Sequence, residues 1–338
     1  MSTRVLRVLA LAAAGACTAA AHAQSGTPEP KTVHVFYDNV IHYTPADSSK
    51  YDTPLVRGAS GGRVLTRRLD IAPPGHPVRI IAQVATRPIP VDAETVQDKW
   101  DRAGNVRLRR PGMADIEIVK FVTAYGGETA HEVDVSALAP LLTGDCTFLG
   151  FVDTWTSPGW KMDLSLLFLP VAAADADAPA WVSGLLYAES VTAASPGAGD
   201  TTLAVVVPPG MERVVMHYLA SGHCTDGRGA DEFETKDHVI TVDGREVARL
   251  RPWRDDCRQF RAVNPYCRRW SDGSWSADYS RSGWCPGDKV LPVEIDLGEY
   301  LTPGPHRIGF AVAGIRPRDD AGHYGYWRLS SRLVGWRD

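Results

Sequence analysis

The sequence predicts an all-β protein built as two β-sandwich domains in series. Many short β-branched or aromatic runs are separated by Gly and Pro, helical patterns are brief, and one aperiodic stretch lies near the middle. Strands are expected over 78–87, 116–125, 147–155 and 163–169, then over 201–207, 212–219 and 306–315. "HVITV", Asp243-Gly244 and "REVARL" form a hairpin whose two-residue turn demands positive φ. The two helical candidates, 94–100 and 136–142, are at most two turns each. The Ala/Asp/Pro-rich stretch "PVAAADADAPAW" (170–181) reads as a linker, dividing 24–172 from 180–338.

Residues 1–23 read as a secretory signal peptide. Arg4 and Arg7 make a basic start, a short apolar run follows, and Ala21-His22-Ala23 is a small-x-small cleavage site. The run is too short to span a membrane, and the residue three before Cys17 is Ala14 rather than the Leu a lipoprotein signal favours. The chain is therefore expected to be exported, to the periplasm or the medium, with no membrane partner. Its net charge is −4 and no basic stripe is present, which argues against nucleic acid. Of six cysteines, Cys17 leaves with the signal; the five that remain suggest disulfides with one thiol over.

Standard chemical motifs are missing from the sequence. Ten histidines include no His-x-His pair and there is no Cys-x-x-Cys, so no zinc site of ordinary spacing is expected. Isolated histidines such as His34, His42 and His217 read as structural or exposed. No Gly-rich phosphate loop occurs, and the one Gly-x-Ser-x-Gly match, Gly58 to Gly62, is followed by no helical pattern that would make it a nucleophile elbow. What stands out is acids beside tryptophans. Asp101 lies between Trp100 and Arg102, Asp153 two residues before Trp155 and so on one strand face, and Arg281 near Trp284. Sugars stack their apolar faces on indole while their hydroxyls bond acids. The same spacing also suits a core Trp beside a turn-forming Asp. A further acid-crowded stretch, 222–244, reads mostly as loop.

Five segments turn these observations into a resemblance: "WDRAGNV" (100–106), "SGH…RGADEF…H" (221–238), "WRDDC" (253–257), "NP" (264–265) and "RSGWCPG" (281–287). In this order they resemble the bacterial peptide-N-glycosidase F family, over most of the chain beyond the signal and most strongly from about 212 to 296. The resemblance implies two jelly rolls side by side. It also implies hydrolysis of the amide joining an N-glycan to asparagine, with no cofactor and no metal, on N-glycosylated peptides and proteins, by a monomer. Asp101 would be the primary catalytic carboxylate, Glu232 a second acid, and Asp153 a third, standing where the family has Glu. Arg281, Trp284, Trp155, Trp100 and His223 would contact substrate. Cys257 and Cys285 would pair, leaving Cys224 and Cys267 as a second expected pair and Cys146 as a buried thiol.

The departures are specific. The family closes a short disulfide around its loop glutamate, where this chain has Ala230 and Glu234, so another device must hold that loop. A cysteine pair before "WDR" is also missing. Asp231 adjoins Glu232, and a slip of one residue would exchange them. Asp153 is shorter than Glu by one methylene, which makes it an auxiliary group expected to orient Arg281 or the substrate. Two other readings remain: a jelly-roll protein that binds N-glycans without cutting them, and a copper monooxygenase, which would need paired histidines that are not visible.

Overall fold

Strict alternation builds the first sandwich. In the computed structural model, which describes residues 28–44, 56–57, 62–173, 178–195, 201–226 and 231–337, the first half carries nine strands. They are β1 Lys31–Ile41, β2 Val56–Arg57, β3 Val64–Ile71, β4 Val78–Pro88, β5 Ala103–Arg109, β6 Ile116–Val122, β7 Thr129–Asp134, β8 Gly144–Val152 and β9 Trp160–Pro170. The second half carries β10 Trp181–Val191, β11 Thr201–Val207, β12 Arg213–Cys224, β13 His238–Val242, β14 Arg245–Leu250, β15 Lys289–Val290, β16 Val293–Asp296, β17 Gly304–Val312 and β18 Gly325–Trp336. Along β9, Trp160, Met162, Leu164, Leu166 and Phe168 are all fully buried, so every second residue faces one core.

Four antiparallel sheets result. Sheet β1-β9-β4-β7 faces sheet β15-β6-β5-β8-β3-β2, and sheet β10-β18-β12-β16 faces sheet β11-β17-β13-β14. The chain is thus an all-β pair of jelly-roll sandwiches, each around its own apolar cluster. β13 and β14 form the expected hairpin, with Asp243 at φ 50° and Gly244 at φ 82°. The proposed signal peptide and part of the linker, 174–177, lie outside the described residues.

Every residue of β6 is buried because its two faces serve different purposes. One face enters the first core; the other meets the second sandwich. Glu117 accepts Ser330 Oγ at 2.6 Å and, through its carbonyl, Arg332 Nη1 at 3.0 Å, while Lys120 Nζ donates to the Arg328 carbonyl at 3.0 Å. These buried polar groups are paired, as burial requires. β15 comes from the second half of the chain yet pairs with β6 at the edge of the first sandwich. The Val122 N–H donates to the Asp288 carbonyl and the Gly287 N–H to that of Val122, each at 3.0 Å. That stitch carries residues 281–288 up against the first sandwich.

Several expectations are corrected here. Residues 94–100 form no helix; they are bends pinned by a Pro90–Val96 bridge. The other helical candidate does form a helix, a six-residue 3-10 helix over Ser136–Leu141 that contains Pro140. β12 runs on through Gly222, His223 and Cys224, so these belong to a strand and not to the loop. β8 ends at Val152, so Asp153 and Trp155 lie past the strand and strand alternation does not orient them.

Cys257 and Cys285 are bonded, 28 residues apart, with Cα atoms separated by 5.1 Å. Cys224 and Cys267 are not joined to each other, which overturns the expected second pair. The Cys224 thiol instead donates to Glu232, and Cys267 packs with Tyr125 and Ala277. Cys146 is a buried thiol. In the chain-entropy picture, losing the 28-residue closure costs ~3–4 kcal/mol. Cys257→Ser with Cys285→Ser should therefore lower the unfolding free energy read from denaturant titration by about that amount, whereas Cys146→Ala should not approach it.

Candidate active site

The site begins at a buried anchor that sequence reading missed. Asp98 accepts Arg102 Nε and Nη2, each at 2.9 Å, Thr154 Oγ1 at 2.6 Å and Trp160 Nε1 at 3.2 Å. On the far side of Asp101, Arg102 and Thr123 exchange hydrogen bonds of 2.8 Å. The backbone on both sides of Asp101 is therefore fixed. No local pattern in the sequence marks this anchor, because an Asp–Arg spacing of four signals a pair only on a helix, which this segment does not form.

Arg281 is the hub that Asp101 faces. It is 1 % exposed and held from below by backbone carbonyls: Nη1 donates to Tyr279 O and Nη2 to Ser276 O, both at 2.9 Å. Its guanidinium lies between the rings of Trp284, at 4.8 Å, and Phe233, at 5.1 Å. With that support it reaches three polar partners. Nε donates to Glu232 Oε1 at 3.3 Å, Nη2 donates to the Tyr125 hydroxyl at 3.4 Å, and Nη2 stands 3.9 Å from Asp101 Oδ2. Asp101 comes from one half of the chain, Glu232 and Arg281 from the other.

Burial dominates the electrostatics of this group. It pushes the Asp101 carboxyl above its usual range, opposed by Arg281, by a hydrogen bond from Tyr125 and by Arg102. Burial also raises Glu232 to about 7, with Arg281 opposing and the Asp101 charge reinforcing the shift. Two carboxyls around one guanidinium cannot both ionise cheaply, so the pair titrates as a unit. A buried carboxyl beside a second one that behaves differently is an arrangement suited to general acid/base work. The Glu232 Oε2 atom is held from the other side by Cys224 Sγ at 3.3 Å. Among the described residues no group of three or more His, Cys, Asp or Glu could hold a metal ion.

Asp231 and Glu232 have separate tasks. Asp231 is fully buried with φ 75°; its Oδ1 accepts Trp327 Nε1 and its Oδ2 the Arg316 N–H, both at 2.9 Å. Side chains at Gly325 or Gly222 would overlap Asp231, so glycine is required at both places. Next to it, the Glu232 carbonyl accepts the Ser282 N–H at 2.9 Å and the Glu234 carbonyl accepts Ser282 Oγ at 2.8 Å. Asp231 does the holding that the missing disulfide would have done; Ala230 lies outside the described residues. Asp231→Ala leaves two buried donors unpaired, each worth ~1–3 kcal/mol. Its melting temperature should drop, and proteolysis between 225 and 235 should accelerate relative to the rest of the chain.

The remaining expected residues fall into two groups. Trp100 and Trp155 are open to solvent, 63 % and 58 % exposed. Trp155 lies 5.3 Å from the Tyr43 ring, with the Arg63 guanidinium near both. Trp284, by contrast, is 2 % exposed, donates Nε1 to Gly222 O at 2.7 Å and stacks on His223. It cannot stack on a sugar; it walls Arg281. His223 is buried between Trp284 and Tyr326 and bonded to Ser221, and burial pushes its imidazole well below the usual range. It is a neutral packing group and not a cleft residue. Asp153 does not reach Arg281: its two oxygens accept Arg63 at 2.6 Å and Arg328 at 2.7 Å, so it ties β18 to the end of β8.

The fold and this site define a double β-sandwich with an acid–arginine centre shared by its halves. Residues 196–334 match the family model described as peptide-N-glycosidase F, C terminal. The resemblance to the peptide-N-glycosidase F family extends, as a fold, over nearly the whole chain. The structure of PNGF-II aligns with a TM-score of 0.79 at 22% identity, covering 91% of this chain and 66% of that one. The chain therefore spans just under two thirds of PNGF-II. PNGase F from Flavobacterium meningosepticum, described as a glycosylasparaginase, aligns with a TM-score of 0.68 at 17% identity, covering 92% of this chain and 96% of that one. A peptide-N(4)-(N-acetyl-beta-D-glucosaminyl) asparagine amidase aligns with a TM-score of 0.68 at 18% identity, covering 91% and 96%. No curated protein matches the sequence. No helix among the described residues is long and apolar enough to cross a membrane.

Proposed function

We propose that this chain is an exported peptide-N-glycosidase that hydrolyses the amide between an N-glycan and asparagine. The observation that carries this reading is the convergence of Asp101 and Glu232, from the two halves of the chain, on the buried Arg281. One carboxylate takes a proton from water as its oxygen attacks the amide carbon. The protonated partner gives a proton to the departing glycan nitrogen, and Arg281 steadies the negative oxygen formed between these steps. Aspartate remains in the peptide and the glycan leaves as a glycosylamine. Nothing in this sequence of steps calls for a cofactor.

The exposed faces of Trp100, next to Asp101 in the chain, and of Trp155 suit apolar sugar faces. We place the two domains at 24–172 and 180–338, with the cleft where they meet, the usual home of ligand sites, and take the working form to be a monomer. Asp153, occupied by two arginines, would be a clamp between domains, with Asp153→Asn losing less activity than Asp101→Asn. The test is incubation with an N-glycopeptide followed by mass spectrometry. Conversion of the glycosylated Asn to Asp supports the amidase; retained binding without conversion would favour the glycan-binding reading, which the engaged state of Asp153 makes worth distinguishing.

A further inference from the structure

A small hairpin stands on the rim of this site and takes no part in the chemistry. It spans residues 268 to 276, closed by an Arg269–Trp275 bridge, by the Trp270 N–H donating to Ser274 O at 2.8 Å, and by the Ser276 N–H donating to Arg268 O at 2.8 Å. Gly273, at φ 86°, makes its turn, and the hydroxyls of Ser274 and Tyr279 bond at 2.8 Å. The hairpin is therefore preorganised. Ser276 at its base, and Tyr279 three residues beyond, supply the carbonyls that hold Arg281, which ties the hairpin to the cation that the two acids share.

Its outer surface is cationic and aromatic. The Arg268 guanidinium lies 3.9 Å from the Trp270 ring centre and that of Arg269 5.6 Å from Trp275. Arg268, Arg269 and Trp270 are exposed, and neither arginine makes an ion pair among the described residues. The nearby acids are already engaged: Asp272 accepts Ser274 and Asp278 is paired with Arg261. An arginine flat on an indole keeps its forked donors free for a carboxylate, while the ring edge offers apolar surface to a neighbouring group.

We propose that the 268–276 hairpin is a subsite for a carboxylate carried by the substrate. Two sources share this chemistry: an acidic sugar on the glycan, and an acidic side chain flanking the glycosylated asparagine. The inference rests on the peptide-N-glycosidase reading for its substrate. The test uses four glycopeptides, pairing a sialylated with a neutral glycan on one peptide, and Asp with Asn flanks on one neutral glycan. Cleavage by the wild-type protein gives kcat/KM. Binding to Asp101→Asn, with and without Arg268→Ala and Arg269→Ala, gives affinity independent of turnover.

The expected result is a preference of roughly 3–10-fold for the carboxylate-bearing member of one pair, the scale of one or two exposed charge-assisted bonds. The pair that responds identifies the source. The double substitution and 0.5 M salt should each erase the preference, salt by screening at about 1 nm or less. Equal binding within both pairs, or a preference surviving the double substitution, overturns the subsite. Absence of cleavage with the binding preference intact would sink the hydrolytic reading and leave the subsite standing.

Discussion

Replacing Asp101 by Asn, or Glu232 by Gln, should lower glycan release by ~10²–10⁴ while the protein stays folded, the usual cost of removing an acid/base group. The two losses should not add when combined, because the pair acts as one unit around Arg281. The Glu232 change has a second signature. Its folded carboxyl is raised from 4.5 to about 7, so its contribution to stability is fully present below the unfolded value and is lost as pH rises through the folded one. The window is therefore pH 4.5 to 7, and the size of the loss is about 3 kcal/mol. Wild type should lose stability relative to Glu232→Gln between pH 4 and pH 8. Urea melts of both proteins at the two pH values measure this; a constant difference would show that Glu232 is not buried as an acid.

Arg281→Met should be the most damaging single change to the site. It leaves two buried carboxyls without their cation, and breaking a buried pair in this way costs about 3–5 kcal/mol. It also frees the carbonyls of Ser276 and Tyr279, which the guanidinium satisfies. Without the positive charge both acids should titrate still higher, since Arg281 opposes burial at each. Activity at neutral pH should fall below detection and the melting temperature should drop. Arg281→Lys should rescue little. A single ammonium cannot serve Glu232, Tyr125 and two carbonyls from one planar fork. Near-normal stability in the Met variant would mean that the hub is not structural.

The sheets were legible because their signal is local. Alternation in β4, β9 and β11 and the Asp-Gly turn of the β13–β14 hairpin are written in neighbouring residues. The false helix at 94–100 came from a composition that suits a short helix, overridden by the Asp98 network, whose partners Thr154 and Trp160 lie 56 and 62 positions away. Asp101, Glu232 and Arg281 entered as candidates through motif resemblance; their meeting depends on β15 crossing to the first sandwich, a long-range pairing no periodicity reveals. Exposed and buried tryptophans look alike in sequence, so Trp284 was grouped with Trp155 although one is core and the other surface. The second disulfide failed for a related reason. Cysteine counts permit pairings without saying which thiols meet, and Cys224 meets a carboxylate instead.

The most direct measurement is the pH dependence of glycan release from an N-glycopeptide, run in heavy-oxygen water for wild type and Glu232→Gln. An Asp101–Glu232 pair that must hold one proton between its members predicts a bell-shaped profile for the wild type, with one limb near 7. The new aspartate should carry a single heavy oxygen from water. In Glu232→Gln the residual activity should lose the limb near 7. A wild-type profile with no limb in that region, a limb that persists in Glu232→Gln, or a glycopeptide that stays intact at every pH would contradict the assignment of this site.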